Sequence, residues 1–133
     1  MTLFIPNAGE VVLLQSALQT TTPEGLTLKL YTNNYDAVAG STAGNFTEAA
    51  GSNYAAKALT RGTWGTATGG QPSTSVYGAA QTWTFNAGIT IVGYFIVGSS
   101  SGTIYWAERI YAGAGQLFNN TDTLTITPKF ALT

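Results

Sequence analysis

From Leu26 onward the chain repeats one pattern: apolar side chains at alternate positions, in short runs cut by Gly, Asn and Ser. A period of two puts successive residues on opposite sides of an extended strand, so each run has one face for a core and one for water. Leu26, Leu28 and Leu30 alternate with Thr27, Lys29 and Tyr31, and Trp83 and Phe85 with Thr82 and Thr84. Ile104 and Trp106 fall on one face, with Tyr105 and Ala107 on the other, and Leu124 and Ile126 alternate with Thr123, Thr125 and Thr127. Further strands are expected over Phe46-Thr47, over Tyr54–Leu59 and along Ile89–Val97, while Asn33–Gly44 and Gly62–Ser73 read as loops. Asn86-Ala87-Gly88, Gly98–Gly102 and Gly113–Gly115 have the composition of turns. Proline cannot donate to a ladder, so at Pro128 the last strand must lie at an edge or bend. Seven to eight short strands with Gly-rich turns make an all-β chain, an antiparallel β-sandwich or jelly roll.

The first 25 residues differ. Residues 1–6 form an apolar arm, Leu3-Phe4-Ile5, closed by Pro6. A short helix is expected over residues 7–19, with Asn7 as cap and Glu10 as its capping-box partner. Val11, Leu14 and Leu18 fall on one helical face with Ala17 beside them, and Thr20-Thr21-Thr22-Pro23 ends the helix. The arm is costly to leave in water, at about 25 cal/mol per Å² of apolar area. Packing on the edge of its own sheet is the first expectation, and exchange with another subunit the second.

The 133 residues suffice for a single domain over 1–133, with no repeat, coiled-coil heptad or linker to divide it. Charged residues are 8% of the chain, against about 25% in ordinary domains. The polar surface must therefore be built from Thr, Ser, Asn, Gln and Gly, and a net charge of −1 provides little repulsion between copies. With no His and no Cys, imidazole catalysis, thiol nucleophiles and the usual zinc sites are excluded. Lys29, Lys57, Arg61, Arg109 and Lys129 are scattered singly, which argues against nucleic-acid binding. No apolar stretch approaches the roughly 20 residues of a membrane-spanning helix, and no membrane partner is expected. No basic segment precedes an apolar core near Met1, so synthesis in the cytoplasm is expected.

Candidate chemistry is sparse. Glu48 and Glu108, with aromatic residues near both, are the pair a glycoside hydrolase would use, but structural partnering is the favoured reading and no enzymatic activity is expected. Trp83 and Trp106 belong to a core by their alternation, whereas Trp64 sits in a Gly/Thr loop and is the better candidate for a ligand or partner contact. The Gly clusters lack the Lys-Ser/Thr of a phosphate cradle, and no cofactor is implied. The Thr ladder at Thr121–Thr127 loosely resembles the flat polar face of an ice-binding surface but lacks a repeat, and a solvent-facing strand explains it equally well. Leu3, Phe4, Ile5, Trp64 and Tyr77 are the residues expected at an interface with another subunit or a partner.

Nearly the whole chain resembles a group of small virion proteins of tailed bacteriophages, including phages of aquatic bacteria. The resemblance rests on Pro6-Asn7-Ala8-Gly9-Glu10, Leu26–Asn34, Phe46-Thr47-Glu48 and Tyr54-Ala55-Ala56-Lys57. It continues in Trp83-Thr84-Phe85, Gly93-Tyr94-Phe95, Ile104–Arg109 and Leu124–Lys129. It implies a structural role in the particle and no catalytic residues. The expected function is a capsid decoration (cement) protein on the outer head surface, bound to the major capsid protein. A homotrimer is expected from the symmetry of capsid lattices. The alternative is a tail-associated, glycan-binding receptor module using Trp64.

Overall fold

The most apolar run of the sequence becomes the centre of the molecule. In this computed structural model, which describes residues 2–19, 23–70 and 72–132 with backbone alone for Thr2 and Leu3, strand β7 (Gly93–Gly98) is buried along its whole length. It pairs antiparallel with β2 (Leu26–Tyr31) on one side and β8 (Ile104–Arg109) on the other. The arm adds β1 (Thr2–Phe4) outside β8, and β3 (Lys57–Leu59) closes the opposite edge, giving the order β1-β8-β7-β2-β3.

This five-stranded sheet is covered on both faces, which explains why β7 carries apolar residues consecutively instead of alternately. Tyr94 and Ile96 point to one side with Leu26, Leu28 and Leu30. Three antiparallel ribbons supply the rest of that core: β4 (Ser73–Val76) with β11 (Lys129–Leu132), β5 (Gln81–Thr84) with β10 (Thr123–Ile126), and β6 (Ile89–Ile91) with β9 (Gln116–Phe118). Their inward side chains include Trp83, Leu124, Ile126 and Phe118. Phe95 and Val97 point to the other side, where Phe46 stacks on Phe95 at 5.0 Å and meets the edge of Tyr31 at 5.0 Å. The fold is all-β, antiparallel and sandwich-like, with a short N-terminal helix and, among the described residues, eleven short strands.

The added strands come from runs that break. Between Val76 and Phe85 the chain changes ribbon, because Tyr77 donates its N–H to Pro128 O (2.8 Å) and Gly78 to Thr63 O (2.9 Å). The final run bends at Pro128, between β10 and β11, as its missing N–H requires. Phe46-Thr47 is not a strand: the Asn33 side chain takes the Thr47 N–H (2.8 Å) and donates to Asn45 O (2.9 Å), replacing a ladder. The expected strand over Tyr54–Leu59 shortens to β3, behind a turn with positive φ at Ser52 and Asn53. In β8 the expected alternation fails. Ile96 faces Trp106 but Val97 faces Ile104, so Tyr105 is an extra, bulged residue. Tyr105 and Trp106 therefore join one core, and Ile104 and Ala107 the other.

Helix α1 (Asn7–Leu18) lies against β8. Its cap is Pro6, not Asn7: the N–H groups of Gly9 and Glu10 reach Pro6 O, the Asn7 N–H goes to Ala39 O (2.9 Å), and no side chain caps the end. The expected capping box between Asn7 and Glu10 is thus absent. The Thr20–Thr22 stop lies outside the described residues, and the helix ends at Leu18 with Gln19 as cap.

Candidate interaction surface

Among the described residues, every charged side chain except Glu10 has a structural engagement. Lys29 pairs with Glu48 at 2.8 Å, and Tyr54 donates to the second Glu48 oxygen at 3.0 Å. Glu108 is 5% exposed, accepts the Tyr94 hydroxyl at 2.6 Å and faces Lys129 Nζ at 3.8 Å. Glu24 accepts the N–H groups of Ser100 (2.7 Å) and Ser101 (2.9 Å) and the Ser101 hydroxyl (2.6 Å), closing the turn after β7. Burial alone would raise the Glu24 pKa, but these donors hold it below the usual carboxylate value. Arg61 donates to Glu24 O, Lys57 lies over the Trp83 ring at 5.5 Å, and Asp122 accepts the Asn119 N–H at 2.7 Å.

Arg109 organises a polar concavity between two loops. Its guanidinium reaches Tyr111 O (3.0 Å), Asp36 (3.1 Å), Asn34 (2.6 Å) and Gly113 O, tying the loop after β2 to the loop after β8. These residues line a cleft of about 410 Å³. With its donors taken by the fold, Arg109 acts as a clamp and has little left for a ligand.

The expected contact residues fall in two places. Phe4 is half-buried at the end of β1 and lines a smaller cleft of about 140 Å³ with Tyr31, Asp36 and Ala107. Ile5 packs partly buried on the main core, and the Leu3 side chain lies outside the described residues. The arm therefore completes its own sheet, with Leu3 opposite Glu108 and Phe4 opposite Ala107. Trp64 and Tyr77 come together elsewhere, bridged through their backbones with ring centroids 5.3 Å apart. Tyr77, expected at an interface, is only 5% exposed, and its hydroxyl accepts the Thr60 N–H (3.0 Å). Trp64, expected as an open contact in a loop, is half-buried against Trp106 at 5.5 Å. Aromatic packing in a loop gives no periodic signal, which is why these two rings could not be assigned from spacing. Glu48 and Glu108 are each taken by their own partners, and neither lines the clefts described above.

Exposed apolar surface lies instead on α1. Val11, Leu14 and Leu18 are 52%, 61% and 81% exposed, while Gly9, Val12 and Leu13 turn toward the protein. Of the other exposed apolar side chains, Val38 lies in a loop, Leu117 on β9, and Val76 and Leu132 towards opposite ends of the β4–β11 ribbon. The helix signal was present in the sequence, since apolar residues surround α1 on nearly all sides, and a helix of that kind needs covering on more than one face. Elsewhere the surface carries hydroxyls, such as the exposed pairs Thr82–Thr125 (3.0 Å between oxygens) and Thr84 opposite Thr123.

Buried phenols make one consequence of this packing measurable. Burial pushes Tyr31 up to about 12 and raises Tyr54 and Tyr94, the latter two further disfavoured as phenolates by Glu48 and Glu108. A raised folded-state pKa contributes stability that is full below the ordinary value of 10 and is lost as pH rises through the folded value. At about pH 11 the near-ultraviolet phenolate absorbance is expected to show only part of the tyrosines ionised, the rest appearing together with unfolding. Complete, instantaneous ionisation with the fold intact would contradict the burial described here.

No protein-family model matches the chain, and a search of curated proteins found no match.

Proposed function

We propose that the protein is a structural component of a phage particle: a capsid decoration protein that sits on the outer head surface as a homotrimer and bridges copies of the major capsid protein. The observation that carries this reading is the commitment of the charged side chains to the fold. Lys29–Glu48, Arg109–Asp36 and Lys129–Glu108 are internal ties, and Glu24 closes a turn, so the surface left for function is hydroxyl-rich, neutral and apolar in patches. Such a surface suits many broad contacts with low salt sensitivity, and an oligomer multiplies weak contacts into avidity. A clamp on a pressurised shell needs contact area and rigidity, and the doubly covered sheet supplies the rigidity. The phage-family resemblance points the same way. The tail-associated, glycan-binding alternative draws less support, because Trp64 packs against Tyr77 and Trp106 instead of presenting an open ring face.

Gold labelling of intact virions with an antibody to this chain tests the reading by electron microscopy. Label spread evenly over the head is the expected result. Label confined to the tail tip or fibres would overturn it in favour of receptor binding, and unlabelled particles would remove a virion role.

A further inference from the structure

We propose that the two clefts beside the Asp36–Arg109 pair form one binding site for a neutral N-acetylated sugar, with the acetyl methyl in the smaller cleft and the ring in the larger. The clefts share Asp36 and Arg109 as a common wall. The smaller one, about 140 Å³, is otherwise walled by Phe4, Tyr31, Ala37 and Ala107. At about 30 Å³ per molecule such a space holds about four waters, and carbon walls offer them few hydrogen bonds. A small apolar group gains free energy by displacing water of this kind. The larger cleft, about 410 Å³, is the one with room for a ring, and it lies within the roughly 300–1,000 Å³ of small-molecule sites.

The polar atoms of the larger cleft select a neutral ligand. Arg109 Nε and Nη2 donate to Tyr111 O, Asn34 and Gly113 O, and Asp36 answers the guanidinium charge at 3.1 Å. An anion would meet the Asp36 carboxylate, 75% exposed, and a cation would meet the guanidinium. Among the described residues, the second Asp36 oxygen, the Asn34 amide nitrogen and the Tyr111 hydroxyl have no protein partner. They supply an acceptor, a donor and a group that is either. Sugar hydroxyls, each both donor and acceptor, match that mixed set, and an acetamido N–H matches the carboxylate at the boundary between the clefts. The site is also shaped in advance. The Ser41 hydroxyl meets the Tyr35 hydroxyl at 2.7 Å and takes the Val38 N–H at 2.8 Å, which pins the loop carrying Asn34, Asp36 and Ala37. Binding therefore costs little ordering entropy. The site does not involve Trp64 and does not depend on where in a particle the chain sits.

Titration of isotope-labelled protein with N-acetylglucosamine, followed by heteronuclear NMR, tests the site, with glucose as the sugar that lacks the acetamido group. A dissociation constant of ~1–10 mM is expected for N-acetylglucosamine, at least ~5-fold weaker for glucose. The amide shifts are expected to centre on Asp36, Ala37, Ala107 and Gly113, and saturation passed from the protein to be strongest at the acetyl methyl. Ala37→Leu, which fills the smaller cleft from a half-buried loop position, is expected to weaken binding at least ~5-fold with an unchanged urea midpoint. Leu117→Ala, on β9 and outside both clefts, is expected to bind as the unaltered protein does. Should Ala37→Leu fail to fold, the shift map of the unaltered protein still decides. Equal affinity for the two sugars, shifts centred elsewhere, or no shift at ~50 mM sugar overturns the site. Shielding of the same amides in assembled particles, with no response to sugar, also overturns it and gives the clefts to a protein side chain.

Discussion

Gly93→Ala is expected to remove at least ~3 kcal/mol of folding stability, a large part of the ~5–15 kcal/mol that domains of this size possess. Gly93 opens β7 at the centre of the sheet, opposite Tyr31 on one side and Arg109 on the other. A methyl group there would collide with the carbonyl oxygen of Glu108 and stand 2.8 Å from both the Tyr31 ring and its hydroxyl. Neither obstacle can move freely. The adjoining Val92 donates its N–H to Tyr31 O at 2.9 Å, and Val92 O accepts the N–H groups of Ile110 (3.0 Å) and Tyr111 (2.9 Å), so the three strands are tied at this level. Relief would require opening β7 from β8 or turning Tyr31 out of its contacts with Phe46 and Phe95. A urea titration measures the effect. A folding stability within ~0.5 kcal/mol of the unaltered protein would show that the strands do not close over Gly93 as described.

Gly9→Ala is expected to destabilise by ~2 kcal/mol or more, and here the sign is the test. In an exposed helix interior the same change stabilises by about 1 kcal/mol, because glycine loses more backbone freedom on folding. Gly9 is buried against β8, however, and a Cβ would run into the main chain of Tyr105 at its carbonyl oxygen and carbon. These are backbone atoms of the bulged residue in a central strand, so the helix must lift away and uncover Val12 and Leu13. Ala17→Gly, at an exposed position of the same helix, serves as the reference and is expected to cost only about 1 kcal/mol. Hydrogen exchange should show the loss of protection in Gly9→Ala concentrated in α1. A Gly9→Ala protein more stable than the parent would mean that the helix does not sit this closely on β8.

How far a sequence reaches depends on whether a property is local. The alternation in Leu26–Tyr31 and Thr123–Ile126 was legible because burial of every second side chain is written into a single strand, and the burial of both runs follows it except at Tyr31, which the second core buries. Pro128 was legible for the same reason: a missing N–H ends a ladder wherever it occurs. Trp83 and Trp106 were placed in the core by alternation, and they are 2% and 3% exposed. The alternation assigned to β8 went wrong at one residue, because the bulge at Tyr105 arises from its pairing with β7 and leaves no mark on the run itself.

The sites were far less legible. Asp36 and Asn34 meet Arg109 across more than seventy residues of chain, and Glu24 meets Ser101 across a similar span. Such pairings carry no spacing rule. Trp64 and Tyr77 were singled out as contacts, yet ring packing among Trp64, Tyr77 and Trp106 turns them largely inward.

The amino-acid sequence by itself determined an all-β antiparallel chain with one N-terminal helix, a neutral hydroxyl-rich surface and the absence of imidazole and thiol chemistry. These follow from period, turn residues and composition, which act over a few positions. Only the tertiary structure decided which side of α1 faces the sheet. The apolar face read from its spacing, Val11, Leu14 and Leu18, is the outer one, because apolar residues surround the helix and Val12 and Leu13 pack on the core instead. The close approach of Gly9 to Tyr105, possible because glycine has no Cβ, sets the rotation and turns Val11, Leu14 and Leu18 outward.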